Sequence, residues 1–211
     1  MSAAVTRSPA TSREFVRNTA DLKAWVRADL AAYDLRDAST LRLLRSLAAE
    51  PQLRWQLRLR VVELLVNRAQ SRRGRALAGF VCWRVQQAGV RLGFTIPPNV
   101  FGPGLKLPHW GTIVISPQVA AGRRCVVHPG VTLGVNHGRA PRLGDDVYLG
   151  PGAKVFGGLH VGDRVTVGAN SVVTRDVPAD TRVVGAPSRP IRGIGEAARD
   201  HAQLFGGEPG A

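Results

Sequence analysis

From Ile115 to Val177, aliphatic side chains recur at every sixth residue, a spacing that neither a helix of period about 3.6 nor a strand of period about 2 produces. The leading positions are Ile115, Ala121, Val127 and Leu133 and then, after one longer step, Leu143, Leu149, Val155, Val161, Val167 and Val173. Nine of these ten are Ile, Leu or Val, which marks them as a buried stripe. Four residues after each comes a second series: Val119, Cys125, Val131, His137, Val147, Ala153, Leu159, Val165, Ser171 and Val177. Glycine follows the leading position at Gly122, Gly134, Gly144, Gly150, Gly162 and Gly168. A fixed short period is the mark of a solenoid whose repeats bury apolar faces only against their neighbours. Three hexads make one triangular coil, so a parallel β-helix is expected. The leading residue points inward from each flat side, the smaller residue fits the taper, and the glycines relax corners at positive φ.

Upstream the spacing becomes helical. Leu22, Trp25, Val26, Leu30 and Tyr33 share one face of a helix expected from Asn18 onward, with Asp21 as its candidate cap. A second helix is expected after Asp37 with Leu41, Leu44, Leu47 and Ala48 as its stripe, and Pro51 is placed to open a third. The run Leu53 to Val61 alternates like a strand, but its apolar character continues through Val62, Leu64, Leu65 and Val66 without a turn residue, which favours helix. A fourth helix is expected over Arg75 to Ala88, with Ala78, Val81, Cys82 and Val85 inward and Gly89 near its end. The expected fold class is α+β: a disordered tail over residues 1–13, a helical domain over 14–92, a β-helix over 93–190 and a C-terminal tail over 191–211.

Charge changes the picture only in part. The net charge is +14, and residues 1–94 carry 17 basic against 7 acidic side chains, nearly all of the excess being arginine. Phosphate-bearing cofactors, acidic substrates and peripheral contact with an anionic membrane all suit such a surface. No zinc-finger spacing, RNP-like aromatic motif or basic region with heptads accompanies it, so nucleic acid is not expected as a partner. Cys82 and Cys125 lie far apart, and Cys125 sits in the second series, so both read as buried thiols of a reducing compartment. The first residues hold no apolar stretch, and no run reaches the roughly 18 apolar residues of a membrane span. The expected location is the cytoplasm.

The chemistry is expected where the beat fails. One break is Phe101 to Thr112, containing Leu107-Pro108-His109-Trp110; the other separates Leu133 from Leu143 by ten residues where six are due. Four extra residues therefore bulge around Val135-Asn136-His137-Gly138-Arg139-Ala140, and insertions in solenoids map to the binding face. Each break holds a histidine.

Three stretches carry a family resemblance: Leu149-Gly150-Pro151-Gly152-Ala153-Lys154-Val155-Phe156-Gly157, Val167-Gly168-Ala169-Asn170-Ser171-Val172-Val173-Thr174-Arg175-Asp176-Val177-Pro178, and Val184-Gly185-Ala186-Pro187. They closely resemble the hexapeptide-repeat acyltransferases, and within these the serine acetyltransferases and the relatives that acetylate exopolysaccharide precursors. The similarity covers about residues 93–192, and the helical part resembles this group's helical domain only loosely. It implies a left-handed β-helix, a homotrimer, and acetyl-CoA as co-substrate in the groove between subunits, with no metal. Gly134, Ala153, Lys154, Ala169, Ser171, Arg175 and Arg189 are the implied CoA contacts, small residues admitting the pantetheine arm and cations meeting phosphates. His109 falls where the family places its catalytic histidine, the general base that takes the acceptor's proton. His137 is the second catalytic candidate. His128 also matches a histidine common in the group, though next to Val127 it reads as structural. Thr95, Trp110 and Arg139 are the implied acceptor contacts.

Three departures bear on the acceptor. Serine acetyltransferases have an acidic residue directly before that histidine, an Asp at the start of the first coil and a His between Arg and Pro after the excursion. Here the positions hold Pro108, Thr95 and Ala140. The expectation is accordingly an O-acetyltransferase acting on a sugar or small polyhydroxylated acceptor. Serine is the alternative acceptor, and a catalytically silent trimeric scaffold or binding module is the alternative of another class.

Overall fold

A computed structural model describes residues 14–191. The expectations for 1–13 and 192–211 lie outside the described residues. Four helices precede the solenoid: α1 (Thr19–Ala32), α2 (Thr40–Ala49), α3 (Pro51–Arg68) and α4 (Arg72–Arg91). Asn18 and Asp21 open α1 with a reciprocal capping box, Asp21 N donating to Asn18 Oδ1 at 2.9 Å and Asn18 N to Asp21 Oδ2 at 3.2 Å. Ser39 and Ser71 cap α2 and α4, and Pro51 occupies the first turn of α3, where its missing N–H costs nothing.

The stripe expected on α2 is rotated. Leu41 and Leu44 stand 58% and 59% exposed, while Leu43 and Leu47 are the half-buried pair. The helix leans mainly on α3, and that contact selects its inward face. Gly89 is likewise not a cap: it is buried inside α4, where a Cβ would come 2.8 Å from Trp55 Nε1. The helix ends at Leu92, and Gly93 beyond it takes φ 82°.

The strands stack on three faces. Face A holds β1 (Phe94–Thr95), β2 (Ile113–Ile115), β5 (Thr132–Gly134), β8 (Lys154–Phe156) and β11 (Val172–Val173). Face B holds β3 (Ala120–Ala121), β6 (Arg142–Leu143) and β9 (His160–Val161). Face C holds β4 (Val126–Val127), β7 (Tyr148–Leu149), β10 (Thr166–Val167) and β12 (Arg182–Val184), closed by the antiparallel β13 (Arg189–Pro190). The other pairings are parallel, and the solenoid is a left-handed β-helix. Paired Val126 and Tyr148 are 22 positions apart, whereas Tyr148 and Thr166 are 18 apart, so the coil with the excursion is longer by its four extra residues.

All ten leading residues are buried, nine of them at most 1% exposed. In the second series only His137, on the excursion, is exposed. The same apolar cluster continues into the helices through Trp55, Leu59, Val62 and Val85, so helices and solenoid share one core. Cys125 is fully buried, its thiol pushed up to about 12 chiefly by burial; Cys82 is half-buried, and both are free.

The glycines after the leading positions do not take positive φ. Positive φ falls instead at other corner positions, among them Arg124, Gly130, Asp146, Gly152, Arg164 and Asn170, each just before a second-series residue. The beat's glycines are required by close approach between coils: a Cβ on Gly162 would sit 2.4 Å from Ala179 N.

Candidate active site

The chain climbs from face A to B to C and back to A, so each coil has three corners. Lys106 bridges to Val126 on face C, and residues 107–112 turn the C-to-A corner before β2. His109 and Trp110 are exposed at this corner, Trp110 by 59%. One coil further along, the His128 ring lies 6.5 Å from His109, centroid to centroid, and 5.0 Å from Tyr148. Burial first, then the nearby His109 and Lys106 charges, hold His128 below the ordinary imidazole range. Sequence reasoning had set His128 aside as structural, yet the fold makes it the neighbour of the candidate base.

The excursion sits at the A-to-B corner. Asn136 and Arg139 exchange backbone hydrogen bonds of 2.9 and 3.1 Å, with His137 and Gly138 between them at φ 48° and 72°. This is the geometry of a two-residue hairpin, and Gly138 meets its demand without strain. Beside it lies a hollow of about 520 Å³ lined by residues that include His137, Arg139, Phe156, Thr174, Arg175 and Asp176. The fold thus gathers the candidates His137, Arg139 and Arg175 at one place. It does not bring His109 and His137 together within one chain. They flank opposite edges of face A, separated by a three-residue strand, about 10 Å of backbone.

Between those edges runs the column Thr95, Val114, Thr132, Lys154 and Val172, paired strand to strand. Lys154 Nζ donates to Thr132 Oγ1 at 3.1 Å and to Gly130 O, so its ammonium is already partnered. Gly134 lies under the Phe156 ring, which a Cβ would strike. Ala169 is exposed at the C-to-A corner, and Arg189, exposed on β13, donates to Ser188 O at 3.1 Å. Two of the expected CoA contacts lie inside the coil. Ala153 and Ser171 are 0% exposed, because the second series points into the coil. Ser171 Oγ accepts from Gly185 N at 3.1 Å.

Four polar side chains to which the sequence reading gave no functional role converge behind the His109 corner: Asp29 from α1 and Tyr33 at its C-cap, Gln56 and Arg60 from α3. Their signal is position, since Asp29 and Tyr33 lie on the stripe of Trp25, one and two turns further on. Among the described residues, no group of three or more His, Cys, Asp or Glu side chains is placed to hold a metal.

Comparison with known proteins agrees with this architecture. The family model described as bacterial transferase hexapeptide (six repeats) matches residues 140–175. A serine acetyltransferase of Synechococcus elongatus is 40% identical over 119 residues, 53% of this chain and 49% of that protein. Soybean serine acetyltransferase complexed with serine superposes with TM-score 0.68 at 30% identity, covering 82% of this chain and 70% of that one. The chain belongs to the hexapeptide-repeat acyltransferases. A serine acetyltransferase solved in complex with CoA shares the fold at TM-score 0.64 and 25% identity, over 82% of this chain and 71% of that one. Within the family, the chain aligns with about half to three fifths of the length of the curated relatives it matches.

Proposed function

We propose that this chain is an acetyl-CoA-dependent O-acetyltransferase with serine as acceptor. The observation that carries the reading is His109, an exposed imidazole on a solenoid corner in a chain 40% identical to a serine acetyltransferase over 119 residues. Acetyl-CoA supplies an acetyl thioester already activated for attack. His109 takes the acceptor's hydroxyl proton as that oxygen bonds to the carbonyl carbon. The carbon–sulfur bond then breaks, and His109 returns the proton to the departing thiolate. Arg175, beside His137 in the excursion hollow, offers charge to the CoA phosphates, with Arg139 next to it as an acceptor contact, and the CoA-bound relative supports that donor. Gly134, Lys154, Ala169 and Arg189 remain proposed contacts. A donor of this kind supports a cytoplasmic location.

The relatives favour serine over the sugar or polyhydroxylated acceptor expected from the sequence. That acceptor stands as a second reading on one observation: Thr95, Pro108 and Ala140 replace the Asp, acidic residue and His that the resemblance assigns to holding an amino acid and orienting the base. Acceptor profiling by thiol release decides between them. Serine turnover, with His109→Ala lowering it about 10²- to 10⁴-fold, is the expected result. Turnover with sugars alone transfers the reading to the second acceptor class. No thiol release with either acceptor, together with no CoA binding by calorimetry, leaves the silent scaffold.

The split of candidates between two corners supports a homotrimer in which the C-to-A corner of one protomer meets the A-to-B corner of the next. The arginine-rich helices further support peripheral contact with anionic membrane.

A further inference from the structure

A positioned general base needs something to position it, and this chain has Thr95 at the place where the serine acetyltransferases it resembles carry the Asp that pairs with the histidine. The outermost coil shows an alternative. From Asn99 to Leu107 the backbone is gripped on its helix side by side chains alone. Asn99 N donates to Glu63 Oε1 at 2.8 Å. Arg60 Nη1 and Nη2 donate to Phe101 O and Gly102 O at 3.0 and 2.7 Å. Asp29 Oδ1 accepts from Gly104 N at 2.8 Å and Leu105 N at 3.1 Å. Gln56 Nε2 donates to Leu105 O at 2.7 Å. The Tyr33 hydroxyl accepts from Leu107 N at 2.9 Å and lies 3.0 Å from Leu107 O and 3.1 Å from Gln56 Oε1, donating its one hydrogen to either.

The other side of this coil is bonded to the next one, with Gly102 N donating to Ala121 O at 3.1 Å and Lys106 N to Cys125 O at 2.9 Å. Beyond the histidine, Gly111 N donates to Leu92 O at 2.9 Å. Only Pro108, His109 and Trp110 lie between the Leu107 and Gly111 anchors, and Pro108 has its φ fixed by its ring. The extended preference it imposes on Leu107 restricts the entry to the corner as well.

We propose that Tyr33 and Gln56, based on the buried Asp29–Arg60–Glu63 cluster, are positioning residues that hold the backbone entering His109. They thereby do for the base what a carboxylate partner would do directly. Arg60 is fully buried, bonded to Asp29 at 2.8 and 3.2 Å and to Glu63 at 3.0 Å, so the base of the clamp has one arrangement. Tyr33 stays a neutral phenol at any working pH, raised mainly by burial, so the clamp does not titrate near neutrality. The role is catalytic in consequence because a displacement of about 1 Å at a reacting group costs on the order of 10²-fold.

This inference rests on His109 being the base, and the experiment separates the two. Turnover of acetyl-CoA and serine is measured for wild type, Tyr33→Phe, His109→Ala and the double variant, with thermal melting to establish folding. Tyr33→Phe lowers kcat about 10- to 100-fold with both KM values within about twofold, yet changes nothing further in the His109→Ala background. An equal loss in both backgrounds, or none in wild type, overturns the proposal. Gln56→Leu carries the same readout should Tyr33→Phe melt early. A wild type that releases no thiol with serine counts against the acceptor reading alone, and the clamp is then read by exchange. Tyr33→Phe speeds hydrogen exchange at the Leu107 amide about tenfold or more and broadens the His109 ring resonances; unchanged spectra overturn it.

Discussion

At the scale of single residues, the informative neighbour of His109 is His128. Burial, the charge of His109 and the charge of Lys106 all disfavour its protonated form. The unfolded chain restores His128 to an ordinary value of about 6.5, so below about pH 7 the unfolded state binds the extra proton and stability falls with pH. The contribution is complete above the unfolded value and lost as pH falls through the folded one. Between about pH 7.5 and 5, the melting temperature of wild type is expected to drop further than that of His128→Asn. Parallel curves would show that His128 is not the group responsible. His109 was legible because it sits in a break of the beat, where a side chain need not face the core. His128 was not, because its interest lies in a ring 6.5 Å away on another coil.

At the scale of elements, α4 contains a controlled comparison. Gly89 and Gly79 both weaken a helix intrinsically, Gly by about 0.8–1.0 kcal/mol relative to Ala. Only Gly89 has a reason to be there, since its missing Cβ makes room for Trp55, whose indole donates to Val85 O at 2.9 Å. Gly79 has nothing within 4 Å of a Cβ. Urea denaturation should show Gly79→Ala gaining about 0.5–1 kcal/mol and Gly89→Ala losing about 1–3 kcal/mol from overpacking. A loss in both would mean that the helix tolerates no added methyl. The same distinction separates what the sequence reveals from what it hides. The six-residue beat is legible because each leading side chain meets the same neighbour one coil away, so packing repeats along the chain. Asp29, Gln56 and Arg60 are illegible as core because charged and amide side chains on a helix read as solvated. Their partners lie as far off as Leu105, 76 positions from Asp29. The glycine pattern was legible but its cause was not: close coil approach, not positive φ, explains Gly162.

At the scale of the whole molecule, the solenoid accounts for the buried surface but not for the outer face of the helices. On α4, Leu77, Phe80, Trp83 and Val90 are each more than half exposed, and the Phe80 and Trp83 rings lie 5.9 Å apart. Around them stand Arg72, Arg73, Arg75, Arg84 and Arg91, all exposed, and the helix has no carboxylate. Arg58 of α3 joins Arg84 and Arg91 around a shared hollow. No helix of the described residues is long and apolar enough to cross a membrane. An amphipathic surface of aromatic and aliphatic side chains rimmed by arginine binds the headgroup region by apolar burial and by attraction to anionic lipid, the latter about 1 kcal/mol per basic residue near the surface. A second copy placed on the same face would instead oppose arginine to arginine without a compensating acid. The full chain is therefore expected to float with phosphatidylglycerol-containing vesicles, to float poorly with pure phosphatidylcholine, and to be released by salt as the Debye length shrinks to about 3 Å at 1 M. Phe80→Ser with Trp83→Ser should abolish flotation while leaving the mass in sedimentation equilibrium unchanged. If wild type stays unbound and those substitutions reduce its mass in sedimentation equilibrium, the face is a protein interface and membrane contact is excluded.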